Sequence, residues 1–376
     1  MKRSILALAA LGAFAGAASA QSSVTLYGRV EANLTYSKPG DAVNGGNEVW
    51  RMDDGNANSG MGGTRWGLRG TEDLGGGLKA YFVLESGFNV DTGSASDSTR
   101  IFNRQSYVAL GSASLGDFRL GRQESISRMI NIGFSDSTNV ELNIYESVGG
   151  GRQLFQTFGQ RVDNTAAYFS PNFGGFQVRA LVGAGEGATA RYQGIMASYI
   201  AGPLKVAAGY EEYDSFRGRT DSFNKVFNVG GNYNFGFLTA FAGYQDSTDV
   251  GSNTGAAFAT GPGATGATAA AFANAVRDQQ AWTVGVMVPV GAFQIRANYT
   301  SVDYDLINGA SAEQQKYGVS VRYELSKRTA LYSAITQRDG KGFYVASGTT
   351  AARVNGADTL FTAKREITLL GVAHTF

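Results

Sequence analysis

The sequence predicts an all-β fold: one 16-stranded antiparallel transmembrane β-barrel. Three observations predict it: apolar and polar residues alternate with period two, connections alternate between long and short, and no run is apolar enough for a membrane helix.

The first strand shows the alternation most cleanly. Between Val24 and Tyr36 the even positions read Val24, Leu26, Gly28, Val30, Ala32, Leu34 and Tyr36, and the odd ones Thr25, Tyr27, Arg29, Glu31, Asn33 and Thr35. One face is greasy and the other wet, as in a two-sided sheet. The pattern returns at Leu78–Phe88, Phe176–Val182, Leu204–Tyr210, Phe293–Thr300 and Tyr317–Leu325. Phe102–Gly111, Val162–Ser170 and Phe237–Gln245 fit either register.

Alternation alone would also suit a soluble sandwich, and the connections distinguish the two. Short turns fall at Asp73–Gly77, Ser112–Gly116, Ser170–Gly175, Gly202–Pro203, Phe235–Gly236, Pro289–Gly291 and Ser326–Arg328. Longer polar loops fall between them at Ser37–Met61, Asn89–Arg100, Glu124–Gln160, Ala184–Arg191, Glu212–Asn224, Asp246–Gln279, Asp303–Gln314 and Asp339–Ala363. A barrel with short periplasmic turns and long extracellular loops has this asymmetry. Strands of ~9–11 tilted residues are expected to cross the bilayer. Closure gives every backbone group a partner where lipid offers none. The least polar run after the N-terminal segment, Ala281 to Phe293, is too short for a spanning helix and itself alternates.

The chain opens with Lys2 and Arg3, an apolar stretch from Ile5 to Phe14, and Ala18-Ser19-Ala20. Residues 1–20 therefore read as a secretory signal peptide cleaved after Ala20, and residues 21–376 as the barrel domain. Processing leaves 30 basic residues against 31 acidic ones, which gives no nucleic-acid signal. There is no cysteine, so the exported fold is held without disulfides. His374 is the single histidine and lies two residues from the end, so no catalytic triad or metal cluster is expected, and no cofactor. Gly75-Gly76-Gly77 and Gly149-Gly150-Gly151 precede no helix with a phosphate-binding lysine.

The chain resembles the Gram-negative general porins of the betaproteobacterial branch. The resemblance rests on Val24-Thr25-Leu26-Tyr27-Gly28, on Arg65-Trp66-Gly67-Leu68-Arg69-Gly70-Thr71-Glu72-Asp73-Leu74-Gly75 and on Asn103-Arg104-Gln105-Ser106-Tyr107-Val108. Leu120-Gly121-Arg122-Gln123, Tyr168-Phe169-Ser170-Pro171-Asn172-Phe173 and the terminal Phe376 complete it. It implies a homotrimer in the outer membrane, in contact with lipid and lipopolysaccharide, passing small hydrophilic solutes and ions. It also implies an inward-folded third loop, by position Glu124–Gln160, and a constriction where wall arginines face loop carboxylates. The matched blocks put the arginines at Arg65, Arg104 and Arg161, with Arg29 and Arg122 nearby, and the acids at Asp136, Glu141 and Glu146. The family's Pro-Glu-Phe-Gly-Gly loop tip is absent. A terminal phenylalanine resembles the signal read by outer-membrane assembly machinery.

Independently of the resemblance, the polar faces carry Arg29, Arg65, Arg69, Lys79, Arg179, Lys205, Arg296 and Arg322 against Glu31, Glu85, Glu211 and Glu324. That excess of positive charge predicts mild anion preference, since an ion entering a narrow passage needs fixed charge of the opposite sign. Tyr36, Trp66, Phe88, Phe176, Tyr210, Tyr233, Trp282 and Phe293 lie near strand ends, where rings form interfacial girdles. The alternative is a channel selective for a sugar or organic anion. Only Tyr27 and Tyr81 stand out as rings on the wet face, too few for a sugar ladder.

Overall fold

The computed structural model describes residues 23–38, 48–53, 62–135, 160–186, 191–213, 224–248, 276–306, 311–341 and 365–376. The N-terminal segment, the tip of the third loop and most of the other long loops lie outside these residues.

The elements in chain order are β1 (Ser23–Lys38), β2 (Val49–Asp53), β3 (Arg65–Gly75), β4 (Leu78–Gly87), β5 (Gln105–Ser112) and β6 (Gly116–Glu124). A short helix α1 (Ile126–Ile130) then runs into a π turn (Asn131–Ser135). The wall resumes with β7 (Arg161–Phe169), β8 (Phe176–Gly183), β9 (Tyr192–Ala201), β10 (Leu204–Tyr213), β11 (Asn224–Asn234) and β12 (Thr239–Thr248). It ends with β13 (Val276–Val290), β14 (Phe293–Leu306), β15 (Ser311–Glu324), β16 (Thr329–Lys341) and β17 (Arg365–Thr375).

All pairings are antiparallel between neighbours, and β1 pairs with β17 from Arg29↔Thr375 to Lys38↔Glu366, which closes the barrel. On its other edge β1 pairs first with β3 (Ser23↔Thr71 to Arg29↔Arg65) and then with β2 (Asn33↔Asp53 to Ser37↔Val49). β2 and β3 are thus two pieces of one wall strand, interrupted between Asp53 and Arg65, and the wall has sixteen strands. Phe376 completes the seam by exchanging two backbone hydrogen bonds with Gly28, each 3.1 Å. Its ring covers Gly28 so closely that a Cβ there would lie 2.5 Å from Phe376 Cζ.

Burial is inverted relative to a soluble domain. Val24, Leu26, Leu34, Val108, Leu110, Ile335 and Leu370 are exposed on the outer face, whereas Glu31, Asn33, Thr35, Glu85, Glu211, Gln245, Gln314 and Thr336 are buried on the inner one. An apolar exterior is stable only against hydrocarbon. Ring pairs band this surface, including Tyr36–Trp50 at 4.9 Å and Trp282–Tyr299 at 5.2 Å toward the loops, and Phe293–Tyr323 and Tyr233–Phe235, both at 4.6 Å, toward the turns.

Three features depart from the alternation pattern. The ladder continues where polarity suggested loop: β13, β14, β15 and β16 run 15, 14, 14 and 13 residues, and β2 lies inside the stretch assigned to the first loop. Beyond the apolar band both faces are wet, so polarity no longer marks where pairing ends; Asp303 pairs with Glu313 there. In β7, Asp163 and Asn164 together oppose the single residue Arg122, with Asn164 at φ 56°. This bulge resets the side-chain parity and explains why Val162–Ser170 fitted both registers. Finally, the inner face is not uniformly hydrophilic: Ile126, Ile130, Phe134, Val162, Leu181, Tyr192, Met196 and Tyr213 form a dry cluster inside the barrel.

Candidate functional site: an arginine wall facing the third loop

The inward residues of β1, β3, β6 and β7, with Arg104 just ahead of β5, bring Arg29, Arg65, Arg104, Arg122 and Arg161 onto one side of the lumen. Arg29 and Arg65 are direct cross-strand partners. Like charges so placed destabilise an ordinary sheet pair, so counter-charge or water must solvate them. Four of these guanidiniums are within electrostatic range of one another or of Arg128: Arg29 of Arg104 and Arg322, Arg65 of Arg29 and Arg128, and Arg161 of Arg104 and Arg128.

Three carboxylates hold this row in place. Glu85 accepts from Arg104 Nε at 2.6 Å, lies 3.5 Å from Arg65 Nε, and accepts from the Tyr27 hydroxyl at 3.2 Å. Glu124 accepts from Arg128 Nε at 3.0 Å and lies 3.9 Å from Arg161 Nη2. Asp163 accepts from Arg122 Nη1 at 2.5 Å and Arg100 Nη2 at 3.1 Å. Arg100 is also held by Asp97 at 3.1 Å, so these six guanidiniums share four carboxylates, and the site carries surplus positive charge.

The third loop reaches the site by packing on the opposite wall. Ser125 caps α1 by accepting from Arg128 N at 3.3 Å. Ile126 N donates to the Tyr192 hydroxyl at 2.9 Å, and Glu211 accepts from Ser127 N at 3.0 Å, Ser127 Oγ at 2.6 Å and Tyr192 at 2.9 Å. Further along, Asn131 Nδ2 donates to Gln245 Oε1 at 3.1 Å, and Asn232 Nδ2 to the Phe134 carbonyl at 2.9 Å. The approach is possible because the inner faces of β9 to β12 carry glycine where it is closest. A Cβ on Gly209 would lie 2.6 Å from Ile126 Cγ2 and 2.7 Å from Ile130 Cδ1, and one on Gly230 would lie 2.8 Å from Ser135 Oγ. With its isoleucines docked there, α1 turns Arg128 toward the arginine wall.

The five arginines singled out from the sequence therefore gather in one place, while Asp136, Glu141 and Glu146 lie outside the described residues. Sequence reasoning passed over Arg100, Arg128, Glu124 and Asp163. Arg128 and Glu124 stand four apart at the start of α1, a spacing that pairs charges on a helix. Asp163 was masked by the bulge. Among the described residues no group of histidine, aspartate and glutamate is arranged to hold a metal ion.

A closed barrel with a greasy exterior and a charged inner wall defines a membrane-spanning channel. Comparison with known proteins gives the family. The Gram-negative porin family matches residues 7–342. An outer membrane porin protein of Bordetella pertussis is 31% identical over 370 residues, covering 89% of this chain and 93% of the relative. Outer membrane porin protein 32 of Delftia acidovorans is 32% identical over 343 residues, covering 88% of each. Among solved structures, an anion-selective porin from Comamonas acidovorans superposes with a TM-score of 0.70 at 26% identity, covering 95% of this chain and 100% of that one. The chain belongs to the Gram-negative porin family and is an outer-membrane channel for passive diffusion of small hydrophilic solutes and ions.

Proposed function

We propose that Arg29, Arg65, Arg104, Arg122 and Arg161, joined by Arg128 from the third loop, form the constriction of a mildly anion-preferring pore that passes its solutes unchanged. The observation that carries this reading is that two guanidiniums share each of Glu85 and Glu124, Arg65 with Arg104 on the first and Arg128 with Arg161 on the second. Fixed positive charge in a low-dielectric passage raises the local concentration of anions and repels cations. The anion-selective relative from Comamonas acidovorans supports the same sign.

The working unit is a homotrimer, as the family resemblance implies, set in outer-membrane lipid and lipopolysaccharide. Residues 1–20 are removed on export, and Phe376 serves both as the closing residue of the seam and as the assembly signal. The decisive experiment is a reversal potential across a planar bilayer with a KCl gradient. Its sign should report chloride over potassium and its size should shrink toward 1 M salt, where the screening length falls to about 3 Å. A clear cation preference in dilute salt overturns the reading.

A further inference from the structure

We infer that the periplasmic half of the lumen carries a second anion site, built by Arg119, Arg179, Phe169 and Tyr107, that takes an organic carboxylate with an apolar body. The inference rests on the channel reading above. These residues lie beside the short turns: Phe169 pairs with Asp117 and Arg179, and Arg119 pairs with Ala109 and Ala167. Arg119 is three residues from Arg122 along β6, about 10 Å toward the turns at the rise of a strand.

Two guanidiniums converge on one ring. Arg119 Cζ lies 3.8 Å from the Phe169 centroid and Arg179 Cζ 4.9 Å from it, and Arg119 also lies 5.2 Å from the Tyr107 ring. Stacking occupies the flat face of a guanidinium and leaves its edge of N–H donors free for a carboxylate. That edge is underused here. Asp117 is the carboxylate on Arg119, at 3.4 Å from Nη2, and it also accepts from the Tyr81 hydroxyl at 2.7 Å. Arg119 Nε is buried with no acceptor among the described residues. Arg179 meets Met129 Sδ at 3.7 Å, a weak acceptor, and no carboxylate within ion-pair distance among the described residues.

The site therefore offers two cations to one acid, with Phe169, Tyr107 and Met129 as its apolar surround. Chloride or phosphate would satisfy the charge and leave these apolar groups facing water. A carboxylate carrying a ring or short hydrocarbon satisfies both. A solute drawn through the constriction by its charge would meet this site next, so transient binding there would favour organic anions over inorganic ones of the same charge.

The test uses the full channel in planar bilayers, with benzoate, acetate and inorganic phosphate added in turn to a constant KCl background. Benzoate should reduce single-channel current saturably, with a half-blocking concentration at least tenfold below that of acetate or phosphate. Arg179→Gln and Phe169→Leu should each raise it at least fivefold, and Arg179→Lys, which keeps charge without the planar fork, should fall between. Unchanged heat-modifiable mobility of each variant shows that the barrel has assembled. Equal block by all three anions, or variants that block like the wild type, overturns the inference and leaves the channel reading standing. A chain that inserts and conducts no ions overturns the channel reading, and the second site with it.

Discussion

The two sides of this barrel use the same inward positions for opposite ends. On the wall from β1 to β7, inward residues are long, charged and paired through shared carboxylates, as with Arg104 and Arg65 on Glu85. From β9 to β12 they include glycines at the places where Ile126, Ile130 and Ser135 press against the sheet. The first side keeps charge facing water; the second excludes water so that a short helix can dock. A lumenal position is therefore not simply a polar position. The docked side decides where the third loop lies, and through Arg128 it helps set the field on the charged side.

Substituting the docked side should have the largest effect. Gly209→Val places methyl groups where Ile126 and Ile130 now lie, and overpacking of this kind costs about 1–3 kcal/mol. Displacement of the loop should appear as noisy, multi-level single-channel currents in place of one steady level. A quiet trace of wild-type amplitude would mean that the third loop does not depend on this contact.

Next in size is the charged side. Replacing Arg65, Arg104 and Arg161 together by Ser removes three of the six guanidiniums and leaves Glu85 and Glu124 in place. The expected result is a higher conductance and loss or reversal of chloride preference in a dilute KCl gradient. Unchanged conductance and reversal potential would make the three arginines structural.

A smaller change should sharpen the same contrast. Glu85→Gln leaves Arg65 and Arg104 without their shared counter-charge, so chloride preference should rise by a modest factor, on the order of twofold, while the docked side is untouched. A shift toward potassium would contradict the surplus-charge account.

The smallest effect lies outside the lumen, in the second loop. The Asp97 carboxyl is held at about 2, first by the Thr99 hydroxyl at 2.7 Å and also by the Thr99 N–H and by Arg100. Because the folded-state value is depressed, the contribution of this turn is complete above the ordinary aspartate range and is lost as pH falls through about 2. A carboxyl-carbon NMR titration in detergent should place the Asp97 midpoint near 2. A midpoint in the usual aspartate range would show that the loop does not hold this geometry in solution.

Much of this is legible in the amino-acid sequence. Val24 to Tyr36 displayed both faces of β1 because a spanning strand meets hydrocarbon on one side and water on the other. The seven short turns stood out because a tight reversal needs few residues and positive-φ glycines, such as Gly202 at 54° and Gly291 at 59°. The ends of β13 to β16 were not legible, because past the membrane both faces are wet and the code lapses. Tyr107 and Phe169 were not recognised as wet-face rings, since their strands fitted either register. β7 did so because of its bulge at Asp163 and Asn164.

The sequence by itself determined the barrel, its orientation and the arginines of its lumen, because those follow from a solvent that changes with every residue along a strand. The tertiary structure alone decided which carboxylate serves which arginine and where the third loop docks. Glu85 lies 19 residues from Arg104, and Ile126 meets Gly209 across the barrel. Such contacts depend on closure, which sets positions distant in the chain side by side and leaves no period in the sequence to announce them.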